Sequence, residues 1–291
     1  MSKQLVFVHG RAQELKDSVK LKADWVKALG VGLAKSGLTL PIAETSVRFP
    51  YYGQTLYDLV NNAGVVAEVV VRGAATDPEA AFQAAVLKEV QKELGISDAE
   101  VDQLLAADVK QRGVLNWEWT QAVLRAIDRK VPGGSAASIA LATRDVYQYL
   151  KNPVIRKTID DGVKQALNQQ PSVVVSHSLG TVVAFNLLKR EGEAAGWEVP
   201  LFITLGSPLG VTAIAAAMSP VEHPYCVGKW FNAMDDRDVV ALYPLTRKHF
   251  NIDPEIENKT DVRNSTQNRH GIDGYLDDAV VAARIHAALI A

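Results

Sequence analysis

The stretch Pro171-Ser172-Val173-Val174-Val175-Ser176-His177-Ser178-Leu179-Gly180-Thr181 decides how this chain folds. Val173, Val174 and Val175 form a β-branched run, the composition of a strand buried on both faces. From Leu179 to Arg190 the sequence reads as a helix, apolar nearly all round through Val182, Val183, Ala184, Phe185, Leu187 and Leu188. Lys189 and Arg190 fall in its last turn and Gly192 lies just past its end. Between strand and helix, Ser176-His177-Ser178-Leu179-Gly180 puts a serine in a sharp turn, with a small residue two positions to either side. A side chain placed there takes a strained backbone geometry, and small flanking residues keep neighbouring chain from colliding with it. The helix behind aims its first N–H groups at the turn, which favours negative charge developing there.

Upstream, Leu5 to Val8 is an apolar strand ending at His9-Gly10, followed by a polar loop to about Ser18. A helix is expected over Val19 to Ser36, with Leu21, Trp25, Leu29 and Leu33 on one face and Gly37 as its stop. Thr45 to Phe49 is the next strand candidate, broken by Pro50 and the Tyr51-Tyr52-Gly53 turn. The segment from about 72 to 150 differs in character. It carries Ala/Glu/Gln/Leu-rich helical patterns at about 78–94, 98–110 and 115–131, a Pro132-Gly133-Gly134-Ser135 break and no strand pattern, which predicts an inserted helical lid or cap. Another helix, Val154 to Gln169, leads into the Val173 strand.

Downstream, Pro200 to Leu205 is a strand ending in Gly206-Ser207-Pro208-Leu209-Gly210. Lys229 to Ala233 is another, delivering the chain to Asp235-Asp236-Arg237-Asp238. The last helix, Asp273 to about Ile290, is expected to turn Leu276, Val280, Ala283, Ala287 and Ile290 inward. Strands alternating with helices predict an α/β fold, a mostly parallel sheet with helices on both faces. At 291 residues this is one domain over 1–291, with the helical insertion inside it.

The composition, 48% apolar and 22% charged with a net charge of −2, gives no electrostatic case for nucleic acid or an anionic membrane. The single cysteine, Cys226, excludes an internal disulfide and fits a reducing compartment. Met1-Ser2-Lys3-Gln4 runs straight into a strand without a leader pattern, and no stretch reaches the roughly 18 apolar residues of a membrane span. A cytoplasmic protein without integral membrane association is the expectation. Metal-type Cys/His spacing is absent, and Gly30-Val31-Gly32 lies within a helical pattern rather than after a strand, so it is no nucleotide loop.

A serine hydroxyl is a weak nucleophile near neutral pH and needs a base within hydrogen-bond reach, itself oriented by a carboxylate. Candidates for such partners lie downstream of Ser178: Asp238, in a loop directly after a strand, and His270, in Asn268-Arg269-His270-Gly271 before the last helix. Asp236 is the alternative acid, with Asp235 a further competitor. His249 and His223 compete with His270, although His223 precedes the acid. Ser178 could instead simply cap its helix. Ser207 has the wrong spacing and precedes Pro208, which suits a turn. His177 is expected to pack around the turn, because its side chain points away from that of Ser178. Trp117 and Trp119, like Tyr51 and Tyr52, could line a pocket or pack as core.

Taken together, these features resemble a lipase/esterase-type α/β-hydrolase, particularly the bacterial and fungal lipase-like branch. The resemblance is carried by Phe7-Val8-His9-Gly10, Ser176-His177-Ser178-Leu179-Gly180, Leu205-Gly206-Ser207-Pro208, the Asp238-Val239-Val240 run ending at Pro244, and a late His270 followed by a Tyr-Leu helix. It implies the α/β-hydrolase fold, with Ser178 as nucleophile, Asp238 orienting the base and His270 as the base. It also implies an oxyanion hole from the backbone N–H groups of Arg11 and Leu179, with His9, Gly10 and His177 in support. The chain departs from the pattern at Ser176, where Gly is commoner, and at Ala241, where Pro is common. The implied activity is hydrolysis of a carboxylic ester of a small molecule or lipid through an acyl-enzyme, with no cofactor or metal. A thioesterase, an amidase or peptidase using the same residues, and a non-catalytic interaction module are the alternatives. The sequence leaves substrate and oligomeric state open.

Overall fold

The alternation of side chains along the strands sets the architecture of this computed structural model, which describes residues 2–11, 13, 15–59, 78–105, 117–131 and 135–291. The strands are β1 (Gln4–Val8), β2 (Val47–Arg48), β3 (Ser172–His177), β4 (Val199–Leu205), β5 (Val227–Ala233) and β6 (Glu257–Lys259). Among the described residues they form one sheet in the order β2-β1-β3-β4-β5-β6, every neighbouring pair parallel. Leu5, Phe7, Val173, Val175, Leu201 and Ile203 project to one face; Val6, Val8, Val174, Phe202 and Trp230 project to the other. Both sets are buried, as an all-parallel sheet requires. The protein is an α/β protein.

On the first face lie α1 (Ser18–Ala34) and the C-terminal helices. The side chain of Asp17 caps α1 by accepting from the Lys20 N–H, and Leu21, Trp25, Leu29 and Leu33 are buried as their spacing predicts. The C-terminal segment departs from expectation. It is two helices, α9 (Asp273–Leu276) and α10 (Ala279–Ile290), because the Asp278 carboxylate accepts from Val280 and Val281 N–H groups at 2.9 and 3.1 Å and starts a new helix. The restart shifts the phase: Val281, Ala282, Ile285 and Leu289 point inward, whereas Val280 and Ile290 are exposed.

The second face carries α2 (Pro78–Glu93), α4 (Trp117–Lys130), α5 (Ser135–Lys151), α6 (Pro153–Lys164), α7 (Leu179–Glu191) and the short α8 (Thr212–Ala217); α3 (Asp98–Asp102) packs against α4. In the described part of the helix expected over 98–110, to residue 105, only the short α3 is helical, and a Ser97/Glu100 capping box starts it. Residues 72–77, 106–116 and the break at 132–134 lie outside the described residues. Sequence reading did not single out α5, although Ala136, Ile139, Ala142, Val146 and Tyr149 bury one stripe of it. Val86, Leu87, Val123, Ile127, Ile139 and Val146 share one continuous core with Val182, Phe185 and Phe202. Each such side chain contributes about 1.5–3 kcal/mol on burial. A buried polar tie adds to it: Asp160 on α6 accepts from the Tyr149 hydroxyl at 2.7 Å and from Arg190 at 3.0 Å.

The strand order has one consequence for function. The chain passes from β1 to β2 on one side and returns as β3 on the other, so the crevice at the C-terminal ends of β1 and β3 is a topological switch point. His9-Gly10-Arg11 leaves one of those ends and His177-Ser178 the other. Among the described residues no helix is long and apolar enough to cross a membrane.

Candidate active site

Ser178 sits between β3 and α7 with φ 55° and ψ −129°, a region that costs a non-glycine residue about 1–3 kcal/mol. The surroundings leave it no alternative. The Ser178 N–H donates to Leu205 O at 3.1 Å, and its carbonyl accepts from Thr181 N–H and Thr181 Oγ1 at 2.9 and 2.7 Å. Gly180 and Gly10 supply the space: a Cβ on Gly180 would lie 2.3 Å from Val8 O, and one on Gly10 would lie 2.7 Å from Ser178 Cβ. Ser176, where the resemblance leads one to expect glycine, is fully buried and donates its hydroxyl to Ile203 O at 2.9 Å. The Ser178 hydroxyl makes no capping bond to α7. It lies instead 2.8 Å from His270 Nε2.

His270 Nδ1 lies 2.7 Å from Asp238 Oδ2. An ionised carboxylate only accepts, so Nδ1 carries the proton there and Nε2 is left to accept from the Ser178 hydroxyl. The loop holding His270 is fixed from several sides. Arg269 has φ 56°, the His270 N–H donates to Asn268 Oδ1 at 3.2 Å, and the His270 carbonyl accepts from His177 Nε2 at 2.7 Å. His177 thus braces His270 through its backbone. Burial, with His270 beside it, holds the His177 ring well below the ordinary histidine range, so the ring is neutral.

The geometry separates the three aspartates. Asp238 is fully enclosed; its Oδ1 accepts from Val240 and Ala241 N–H groups at 2.9 and 3.4 Å, and its Oδ2 from His270 and the Tyr275 hydroxyl. Asp235 is also buried but is engaged by Arg237 and by the Asn264 N–H. Burial would raise its carboxyl, yet those donors outweigh burial and hold it below the ordinary range. Asp236 is exposed and pairs with Arg237 and Arg263. Among the other candidates, His249 stacks on Tyr243 with centroids 4.1 Å apart, and His223 leans on Trp230. Ser207 accepts from Leu209 N–H and pairs with Thr181 Oγ1, a turn residue as its sequence suggests.

After β1, His9 is buried with Nδ1 donating to Gly10 O at 2.7 Å and Nε2 accepting from the Tyr52 N–H at 3.0 Å. The Tyr52 hydroxyl donates to His9 O and its ring stacks on the imidazole, which makes Tyr52 a buried prop of this loop rather than a rim residue. Burial lowers the His9 pKa to about 4. The Tyr51 hydroxyl donates to Gln13 O. Trp119 is buried in the helical core, and the side chain of Trp117 lies outside the described part of the structure.

Leu179 is the first residue of α7, so its N–H has no partner within the helix; Arg11 follows Gly10, which passes against Ser178. The Arg11 guanidinium is tied through Nε to Asp145 on α5 at 2.8 Å, and Asn268 reaches Ser138 on α5 at 3.3 Å. Helix α5 therefore stands over the serine. Beside Ser178 and His270 opens a cavity of about 330 Å³, walled by Leu21 and Trp25 of α1, Ser138 and Ala142 of α5, and Arg11 and Gln13 of the β1 loop. Its lining mixes charge with apolar surface. Among the described residues no group of three or more His, Cys, Asp or Glu side chains is arranged to hold a metal ion.

Sequence reasoning missed Tyr275, Asp145 and Asn264. Tyr275 meets Asp238 across 37 positions, and Asp145 meets Arg11 across 134, so no local spacing could reveal either pair. No protein-family model matches the chain, and no curated protein matches it significantly.

Proposed function

We propose that this chain is a serine hydrolase of the α/β-hydrolase type that cleaves a carboxylic ester through an acyl-enzyme. The observation that carries the reading is the unbroken hydrogen-bonded chain Ser178–His270–Asp238, with contacts of 2.8 and 2.7 Å, at the switch point of the sheet. Ser178 Oγ attacks the carbonyl carbon while His270 Nε2 takes its proton. Asp238 stabilises the imidazolium that forms. Negative charge collects on the former carbonyl oxygen, where the N–H groups of Leu179 and Arg11 are the available donors; losing one such donor costs about 3–4 kcal/mol in a comparable site. The imidazolium then protonates the departing alcohol, and water, deprotonated by His270, releases the acid. The helical segment with α5 at its centre acts as the cap over the site, and its ties to Arg11 and Asn268 support that role.

The test is interception of the intermediate. A short-chain p-nitrophenyl ester gives a burst of nitrophenol, and the acyl group is found by mass spectrometry on the peptide containing Ser178. A matched anilide turns over far more slowly. Ester turnover undiminished in Ser178→Ala, or faster turnover of the anilide, contradicts the reading.

A further inference from the structure

We infer that Tyr275 is a positioning residue of the same site, holding and moderating the Asp238 carboxylate on the oxygen that serves His270. The inference rests on the hydrolase reading for its catalytic meaning, but its structural basis is separate. The Tyr275 hydroxyl lies 2.6 Å from Asp238 Oδ2, the same atom that lies 2.7 Å from His270 Nδ1. A phenol has one proton to give, and its direction here is fixed. The phenol oxygen accepts from the Asp235 N–H at 3.3 Å, so the proton goes to Asp238. The residue is fully buried, and burial together with the nearby Asp238 charge raises the phenol well above its ordinary range, which keeps that proton in place.

The arrangement saturates the carboxylate. Oδ1 takes two backbone N–H groups and Oδ2 takes the imidazole and the phenol, with no water-exposed surface on the side chain. Two consequences follow. The carboxylate cannot rotate without breaking several bonds, which fixes the plane in which His270 is held. The phenol also draws charge from the very oxygen that faces the ring, so the imidazolium of the reaction meets a tempered anion rather than a bare one. Gly206 shows how little room the cluster has. With φ +55°, a Cβ there would lie 2.9 Å from Tyr275 Cε2 and 3.2 Å from both Asp238 Oδ2 and His270 Nδ1. The same turn of chain that ends β4 thus holds the phenol, the acid and the base against one another.

The test uses the whole protein with Tyr275→Phe, which keeps the ring, and with a more acidic fluorinated tyrosine incorporated at 275, which keeps the donor and strengthens it. The imidazole signal of His270, assigned by its loss in His270→Asn, is followed by NMR through a pH titration, beside the pH profile of kcat/KM. In Tyr275→Phe the stripped carboxylate favours the protonated ring, so the titration midpoint and the acid limb of the profile both move up, by about half to one pH unit, and kcat near neutrality falls roughly tenfold with KM little changed. The fluorinated residue moves both midpoints the other way. Midpoints that stay at the wild-type value in both proteins overturn the inference. NMR midpoints that shift in a protein without acyl-transfer activity would keep the network and refute the hydrolase reading instead.

Discussion

Ser178 carries a backbone conformation that would relax in isolation, and each neighbour that prevents relaxation also serves the site. Leu205 and Thr181 fix its peptide groups, and His177, next to it, holds the carbonyl of His270. Two buried neutral imidazoles, His9 and His177, are therefore part of the frame, and both have lowered affinity for a proton. Unfolded histidine titrates near 6.5, whereas folded His9 titrates at about 4. Between those values the unfolded chain binds a proton that the folded chain does not. Stability is thus fully present above pH ~6.5 and is lost as pH falls toward ~4, with about 2 kcal/mol gone by pH ~5 from His9 alone. His177 acts in the same direction. Urea unfolding at pH ~7.5 and pH ~5 measures this, and His9→Asn flattens the dependence. Equal stability at the two pH values in the wild type would refute it. At this scale the sequence was informative about residue types and poor about partners: Ser178, Asp238 and His270 stood out by their turns, while Tyr275 reaches Asp238 only through the fold.

The β3–turn–α7 unit is where composition dictates structure most strictly. Helix α7 approaches the end of β1 so closely that residue 180 has no space for a side chain, the obstacles being the backbone oxygens of Val8 and His9 at 2.3 and 2.5 Å from an added Cβ. Backbone cannot step aside as a flexible side chain would. Gly180→Ala is expected to lose about 3 kcal/mol of stability by urea unfolding and to disturb Ser178 with it. Gly30, in the body of α1, meets nothing within 4 Å, and Gly30→Ala is expected to gain up to about 1 kcal/mol. Equal effects of the two substitutions would show that close approach is not what position 180 demands. Elements with strong internal pattern, such as β3, α1 and α7, were legible in the sequence. Those defined by tertiary partners were not: β6, Glu257-Asn258-Lys259, has no apolar alternation and exists by pairing with β5, and the inward face of α10 depends on where Asp278 restarts the helix.

Across the whole molecule, the alternation of strand and helix was enough to read an α/β protein with both sheet faces covered, while the strand order was beyond it. That order decides where the candidate site lies, because the pairing of β1 between β2 and β3 opens the crevice where the two loops meet. Into it project Ser178 from β3, the Arg11 loop from β1, and, from loops beyond β5, Asp238 and His270. Helices α2, α4 and α5 share the core of the sheet's second face, so the candidate site is built from segments spread along nearly the whole chain. On the proposed hydrolase reading, this convergence activates Ser178 above every other serine. Labelling of the intact protein with a fluorophosphonate probe tests it most directly, beside Ser178→Ala and His270→Ala variants checked for folding by circular dichroism. Stoichiometric labelling on Ser178 is expected, with none in Ser178→Ala and a rate lowered at least a hundredfold in His270→Ala. Wild-type rates in folded His270→Ala, or label carried by another serine, would contradict it.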